Sequence, residues 1–256
     1  MKYQSIKKNI KGFIRLSILV IVSLIIFFEH SNTFADPIKT FQQDKEDKTV
    51  QEFKKVAAEI EKNLRRNPYQ PEMEWRLART HYSIAKKIKN EEAKKKQYDL
   101  CIYHSSQALK LQPNSATSLF FRALCRGKKG QIQGIWASLE VIGPFEKDMK
   151  RAVELEPSIQ DGGPHRALGK LYLELPFFLG GNVGQSVYHL EKAVQLSPNY
   201  AENHLGLAQA YFANKNFESA KKSLLNLKGL TDNIIDDESL LKLRAAGQEL
   251  MNKMTP

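Results

Sequence analysis

The sequence predicts an all-α protein: a right-handed solenoid of about four to five helical hairpins, with insertions and a C-terminal capping helix. Three observations carry the prediction. Pro68, Pro113, Pro157 and Pro198 punctuate the chain at intervals of 45, 44 and 41 residues, each closing an apolar-periodic segment. The residues before three of them repeat one spacing, Cys101-x3-Ser105-x2-Ala108-x4-Pro113, Phe145-x3-Met149-x2-Ala152-x4-Pro157 and Ser186-x3-Leu190-x2-Ala193-x4-Pro198. Steps of three and four place each set on one helix face, where small residues let a neighbouring helix approach closely. Upstream of each set stands a partner segment with its own small residue: Leu77-Ala78-x3-Tyr82, Arg122-Ala123-x2-Arg126, Leu168-Gly169-x2-Tyr172 and Leu207-Ala208-x2-Tyr211. Two packed helices and then a proline make one unit.

Along the chain, Lys2, Lys7, Lys8, Lys11 and Arg15 precede an unbroken apolar run from Leu16 to Phe28, which ends in Glu29 to Ala35. A basic stretch, a short apolar run and a small-residue site read as a secretory signal peptide over 1–35, cleaved after Ala35. The apolar run is shorter than the roughly 20 residues a membrane-crossing helix needs. Residues 36–47 are polar and aperiodic, a linker, and 48–256 form the repeat domain. Without 1–35 the chain keeps 34 basic and 27 acidic residues, a net charge of +7, interspersed rather than blocked. Such a surface, on an exported chain, argues against a nucleic-acid footprint and leaves membrane association at most peripheral. The expected location is the periplasm or cell envelope.

Four units account for the middle, the last being Ala220-x3-Leu224-x2-Leu227 without its proline. A helical hairpin unit of this kind is about 34 residues long, so the longer intervals imply roughly 11, 10 and 7 extra residues. These fall near Lys86–Gln97, Gly134–Pro144 and Leu175–Gly181, with a further link near Gln160-Asp161. After the last unit, Asp236-Asp237-Glu238 opens a segment with apolar Leu240, Leu241, Leu243, Ala246, Leu250 and Met251, which reads as the capping helix. Acids at its start suit the helix dipole.

The repeated pattern is that of the tetratricopeptide superfamily, strongest over Gly163–Leu227. Glu74-Trp75-Arg76-Leu77-Ala78-Arg79, the Lys-rich spacer and Gly143-Pro144-Phe145-Glu146-Lys147 resemble the regulator-of-microtubule-dynamics family. Gly169-x-Leu171-Tyr172-x2-Leu175-Pro176-x3-Gly180-Gly181-Asn182 is similar to the periplasmic T component of TRAP transporters. The first resemblance implies a binding protein. The second implies partnership with a substrate-binding protein in solute uptake, although the lipoprotein cysteine common in that component is absent.

No motif supplies converging catalytic groups. There is no H-E-x-x-H, no G-x-S-x-G and no P-loop, and no two of His81, His104, His165, His189 and His204 stand three or four apart. No enzyme activity, cofactor or metal is expected. The function read from the sequence is a binding or scaffold protein that holds a protein partner or a small anionic, partly hydrophobic ligand. The alternative is a structural scaffold in envelope assembly that works through its edges. Either could form a homo-oligomer.

First helices of successive units line the concave side of such arrays. The spacing i, i+4, i+7 then puts Trp75, Arg79, Tyr82, Phe120, Leu124, Arg166, Lys170, Leu173, Gln209 and Phe212 in one groove. Aromatic faces would bury apolar parts of a ligand while Arg79, Arg166 and Lys170 meet a carboxylate. Phe177, Phe178 and Leu179 are too apolar for an ordinary connector, and either fold back onto the solenoid or present a contact loop. Gly180-Gly181-Asn182 reads as a positive-φ turn followed by a helix N-cap. Lys86, Lys87, Lys89, Lys94, Lys95 and Lys96 against Glu91 and Glu92 read as a solvated helix end or as a surface for anionic headgroups. Cys101 and Cys125 stand level about Pro113 in an antiparallel hairpin. Periodicity leaves open whether they are bonded or separately buried.

Overall fold

In the computed structural model, residues 50–231 and 238–254 are described. The signal segment, the linker and Asp236-Asp237 lie outside the described residues. Helix boundaries follow the prolines. The helices are α1 (Val50–Arg66), α2 (Pro71–Lys87), α3 (Glu91–Leu111), α4 (Ala116–Gln133), α5 (Ile135–Leu155), α6 (Ile159–Glu174), α7 (Val183–Leu196), α8 (Ala201–Ala213), α9 (Phe217–Thr231) and α10 (Glu238–Asn252), with a 3-10 turn at Phe177–Leu179. α1, α3, α5 and α7 each end two residues before a proline, because the residue preceding proline is pushed out of the helical region.

The array is four antiparallel hairpins, α2–α3, α4–α5, α6–α7 and α8–α9, preceded by α1 and closed by α10. First helices α2, α4, α6 and α8 pack in series. Every position picked out by the second-helix spacing is in the interior except Phe145, which is partly buried: Cys101, Ser105, Ala108, Met149, Ala152, Ser186, Leu190, Ala193, Ala220, Leu224 and Leu227 are buried. Those small side chains bring the helices together.

Two expected insertions are not loops. The residues after Asn90 extend α3 to 21 residues, and those after Gly134 extend α5 to 21. Asn90 caps α3 by accepting from the Ala93 N–H at 2.9 Å, and Glu91 and Glu92 favour the positive end of its dipole. α5 runs through Pro144, which lacks the N–H that would bond one turn back. The third insertion is a turn. Asn182 caps α7 as the sequence predicts, accepting from the Gln185 N–H at 3.0 Å. Gly180 has the expected positive φ of 97°, but Gly181 serves for a different reason: a Cβ there would lie 1.8 Å from the Leu175 carbonyl oxygen.

The inter-unit link contains an unusual backbone. Gln160, Asp161 and Gly162 all have positive φ, at 50°, 58° and 70°, so a left-handed turn interrupts the start of α6. Arg166 holds it by donating to the Asp161 and Gln160 carbonyls at 2.9 and 3.3 Å. Asn203 adds a bond from its Nδ2 to the Asp161 carbonyl and accepts from Arg166 at 2.9 Å.

Cys101 of α3 and Cys125 of α4 are joined in a disulfide, with Cα atoms 6.3 Å apart. It ties the first hairpin to the second. At the far end, α10 sets Leu250 into a cluster with Ala201, Leu205, Ala208, Leu224 and Leu227, the capping role read from its apolar pattern.

Candidate functional site

Side chains from three first helices, α2, α4 and α6, converge on Glu202, near the start of the fourth, α8. Arg166 Nε of α6 lies 3.2 Å from its carboxylate and Lys170 Nζ 4.0 Å. Lys86, near the end of α2, also acts on it, and Lys128 of α4 feels both Glu202 and Lys170. Only a curved array brings the ends of α2 and α8 this close, so these residues lie on the concave face. Aromatic rings line the same ground. The Arg166 guanidinium stacks 4.5 Å from the Tyr200 ring centre, and Lys86 Nζ stands 5.9 Å from that of Tyr82.

The electrostatics of the face are those of cations in excess. Burial, then the charge of Lys170, pulls the Lys128 ammonium below its ordinary pKa, with Glu174 and Glu202 opposing. Burial by itself would raise Glu202; Lys170, Arg166 and Lys86 outweigh it and hold the carboxylate ionised. Burial and the charge of Glu202 push Tyr200 up to about 12, and burial raises Tyr82 further. Both phenols are neutral donors at physiological pH.

Of the groove residues expected from spacing, the structure brings Tyr82, Arg166 and Lys170 together. Arg166 is only 11% exposed and is engaged with backbone, so it is a framework residue as much as a surface cation. Phe120 belongs to the core: it packs edge-on against Phe121 at 5.3 Å, over Gly163. Leu124 lies against the same cluster, and Phe212 packs with Phe217 in the terminal cluster. The i, i+4, i+7 rule cannot separate the groove from the inter-helix seam when a helix buries most of its circumference. Trp75, Arg79 and Leu173 are half-buried on α2 and α6, and Gln209 is exposed on α8. Lys128, Tyr200 and Glu202 escaped the sequence reading. The signal available for the last two was their place just after Pro198, where a first helix begins.

A second polar site lies between α4 and α5. Arg122 donates two bonds of 2.7 Å to the buried Asp148 carboxylate, and Arg126 stands 3.7 Å from it. With Gly143, Pro144 and Lys147 they line a shallow recess of about 330 Å³. This ion pair explains why arginines occupy Arg122-Ala123-x2-Arg126, where the other units carry apolar residues. The histidines also pair, across helices. His165 and His189 share a 2.9 Å hydrogen bond between Nδ1 atoms, while His81 stacks on His104 at 5.5 Å. His104 is bound to Glu74, and His81 to Gln97. Among the described residues no group of three or more metal-ligating side chains forms.

A curved stack of helical hairpins with a cationic, aromatic concave face defines a tetratricopeptide-type binding solenoid, and a tetratricopeptide family profile matches residues 178–246. The profile described as "Regulator of microtubule dynamics protein 1-3" matches residues 38–174, more than half of the chain, and the protein belongs to that family. Regulator of microtubule dynamics protein 1 of Mus musculus is 26% identical over 187 residues, 66% of this chain and 60% of its own length. The chain therefore spans about three-fifths of that relative. Among solved structures, TTC0263, a thermophilic tetratricopeptide protein of Thermus thermophilus, is similar with a TM-score of 0.52 at 21% identity. The match covers 72% of this chain and 83% of that one. MamA is similar with a TM-score of 0.50 at 15% identity, covering 71% and 90%. These likenesses show the fold. The resemblance to the transporter T component gains no support from the matches.

Proposed function

We propose that the protein is an exported, non-catalytic scaffold that holds an acidic segment of a protein partner along its concave face. The observation that carries the reading is the convergence of Lys86, Lys128, Arg166 and Lys170 on one carboxylate, Glu202, beside Tyr82 and Tyr200. Two acids, Glu202 and Glu174, among four cations leave a positive field that a partner's carboxylates would neutralise, and the rings offer apolar contact between them. A substrate-binding protein of an uptake system is one partner of this kind. Export is supported by the basic and apolar N-terminal pattern and by the Cys101–Cys125 disulfide, a bond that persists in oxidising compartments. N-terminal sequencing of the protein from its cell tests that part: a chain starting at Asp36 is expected, and an intact Met1 overturns it.

Binding of a fluorescein-labelled hexaglutamate peptide, followed by anisotropy, tests the groove. The parent is expected to bind in a salt-sensitive manner, and Lys128→Glu with Lys170→Glu to weaken binding at least tenfold without lowering the melting temperature. A parent that ignores the peptide, or a double variant that binds it as tightly, overturns the reading.

A further inference from the structure

Successive first helices run parallel, so their C-terminal ends and the turns that follow lie on one edge of the solenoid. Two neighbouring turns on that edge raise aromatic tips. After α4, Ile135 is 71% and Trp136 78% exposed; after α6, Phe177 is 87% and Phe178 71% exposed. The tips are built to protrude. Gly134 (φ 104°) and Gly180 (φ 97°) turn the chain in open space, and the Phe177 and Phe178 rings meet each other edge-to-face at 5.6 Å. Neither 134–139 nor 175–182 contains an acid.

The same edge is basic. Lys86, Lys87 and Lys89 are exposed where α2 ends. Lys94, Lys95 and Lys96 follow at the start of α3. Its acids are Glu91, Glu92, Asp99, Glu140, Glu174 and Glu218, of which Glu92 pairs with Lys95, Asp99 with Lys129 and Glu218 with Lys221. Convex aromatic tips on separate turns would need separate sockets in a rigid protein partner, whereas one fluid interface admits both. Aromatic side chains favour the membrane–water boundary, and flanking lysines are drawn to anionic headgroups.

We infer that this edge docks on an anionic phospholipid surface. Trp136, Phe177 and Phe178 enter the boundary between headgroups and acyl chains, and Lys87 and Lys89 lie over the headgroups. The inference is independent of the groove reading, because its deciding variants, at Phe177, Phe178, Lys87 and Lys89, leave the groove cations in place.

The chain has two tryptophans, so Trp75→Phe in the full-length protein leaves Trp136 as the sole emitter. With vesicles of phosphatidylcholine and phosphatidylglycerol in equal parts, Trp136 emission is expected to shift to the blue and to be quenched by brominated acyl chains. The response should vanish in high salt and be absent with phosphatidylcholine alone. Phe177→Ser with Phe178→Ser, and separately Lys87→Glu with Lys89→Glu, should each reduce vesicle partitioning at least tenfold at unchanged melting temperature. Tethering through the apolar run Leu16 to Phe28 would leave Trp136 in water. Unmoved Trp136 emission, an equal response to phosphatidylcholine, or variants that partition like the parent overturn the inference. So does a Phe177/Phe178 variant that loses a protein partner while vesicles leave Trp136 unchanged.

Discussion

Arg166 and His189 show what single side chains do in a solenoid that buries polar groups between its units. Arg166 looks like a ligand-facing cation by spacing, yet its guanidinium spans Gln160, Asp161, Asn203 and Glu202. Three consecutive residues of positive φ, two of them not glycine, are held by those bonds. Arg166→Ala should therefore cost about 2–3 kcal/mol in urea unfolding, whereas Lys170→Ala should stay within about 0.5 kcal/mol. His189 is buried against His165, Tyr172 and Tyr188, and burial, His165 and Lys150 push its pKa down to about 4. The folded state thus binds its proton later than the unfolded chain as pH falls. Stability is full above the ordinary histidine value of 6.5 and declines between there and about 4, by at most roughly 3 kcal/mol. His189→Gln, measured across that window by urea unfolding, should flatten the slope; an unchanged profile assigns the slope elsewhere.

The disulfide reinforces the seam between two hairpins. Cys101 sits on α3 and Cys125 on α4, so the bond crosses from one unit to the next at a separation of 24 residues. Closing a loop of that length restricts the unfolded chain and stabilises the fold by about 3 kcal/mol. Reduction, or Cys101→Ala with Cys125→Ala, should lower the unfolding free energy by about that amount while leaving the helical content unchanged. A midpoint that does not move on reduction would show that the seam between α3 and α4 is held by packing alone. The Arg122–Asp148 pair plays a related part within the second hairpin, satisfying the buried carboxylate on α5.

As a whole the molecule is a stack in which each unit leans on its neighbours, so its ends are where it is weakest. α10 covers Leu224 and Leu227, and Gly247 fits against the Leu227 side chain. Truncation after Thr231 bares that surface. The shortened chain should melt at least about 5 °C lower, read by circular dichroism, and should associate at concentrations where the parent stays monodisperse. Equal melting temperatures would mean that α10 is an appendage rather than a cap.

The repeat architecture was legible because each of its signals is local: a proline ends a helix through its own ring, an N-cap works within three residues, and a small side chain marks a close approach wherever the helix is placed. Hence the boundaries at Pro68, Pro113, Pro157 and Pro198, the buried faces of the second helices, the cap at Asn182 and the closing helix α10 could all be read from the chain. The site was legible only in part. Tyr82, Arg166 and Lys170 could be named from spacing, but Glu202, 32 residues beyond Lys170, enters only when curvature brings α8 to the ends of α2, α4 and α6. Periodicity places a side chain around one helix axis and is silent about the angle between axes. The tertiary structure therefore decided that Phe120 turns inward, that Cys101 faces Cys125, that His165 meets His189 and that Phe177 and Phe178 stand in solvent. Each depends on where a second helix lies, and that position follows from the packing of the whole stack.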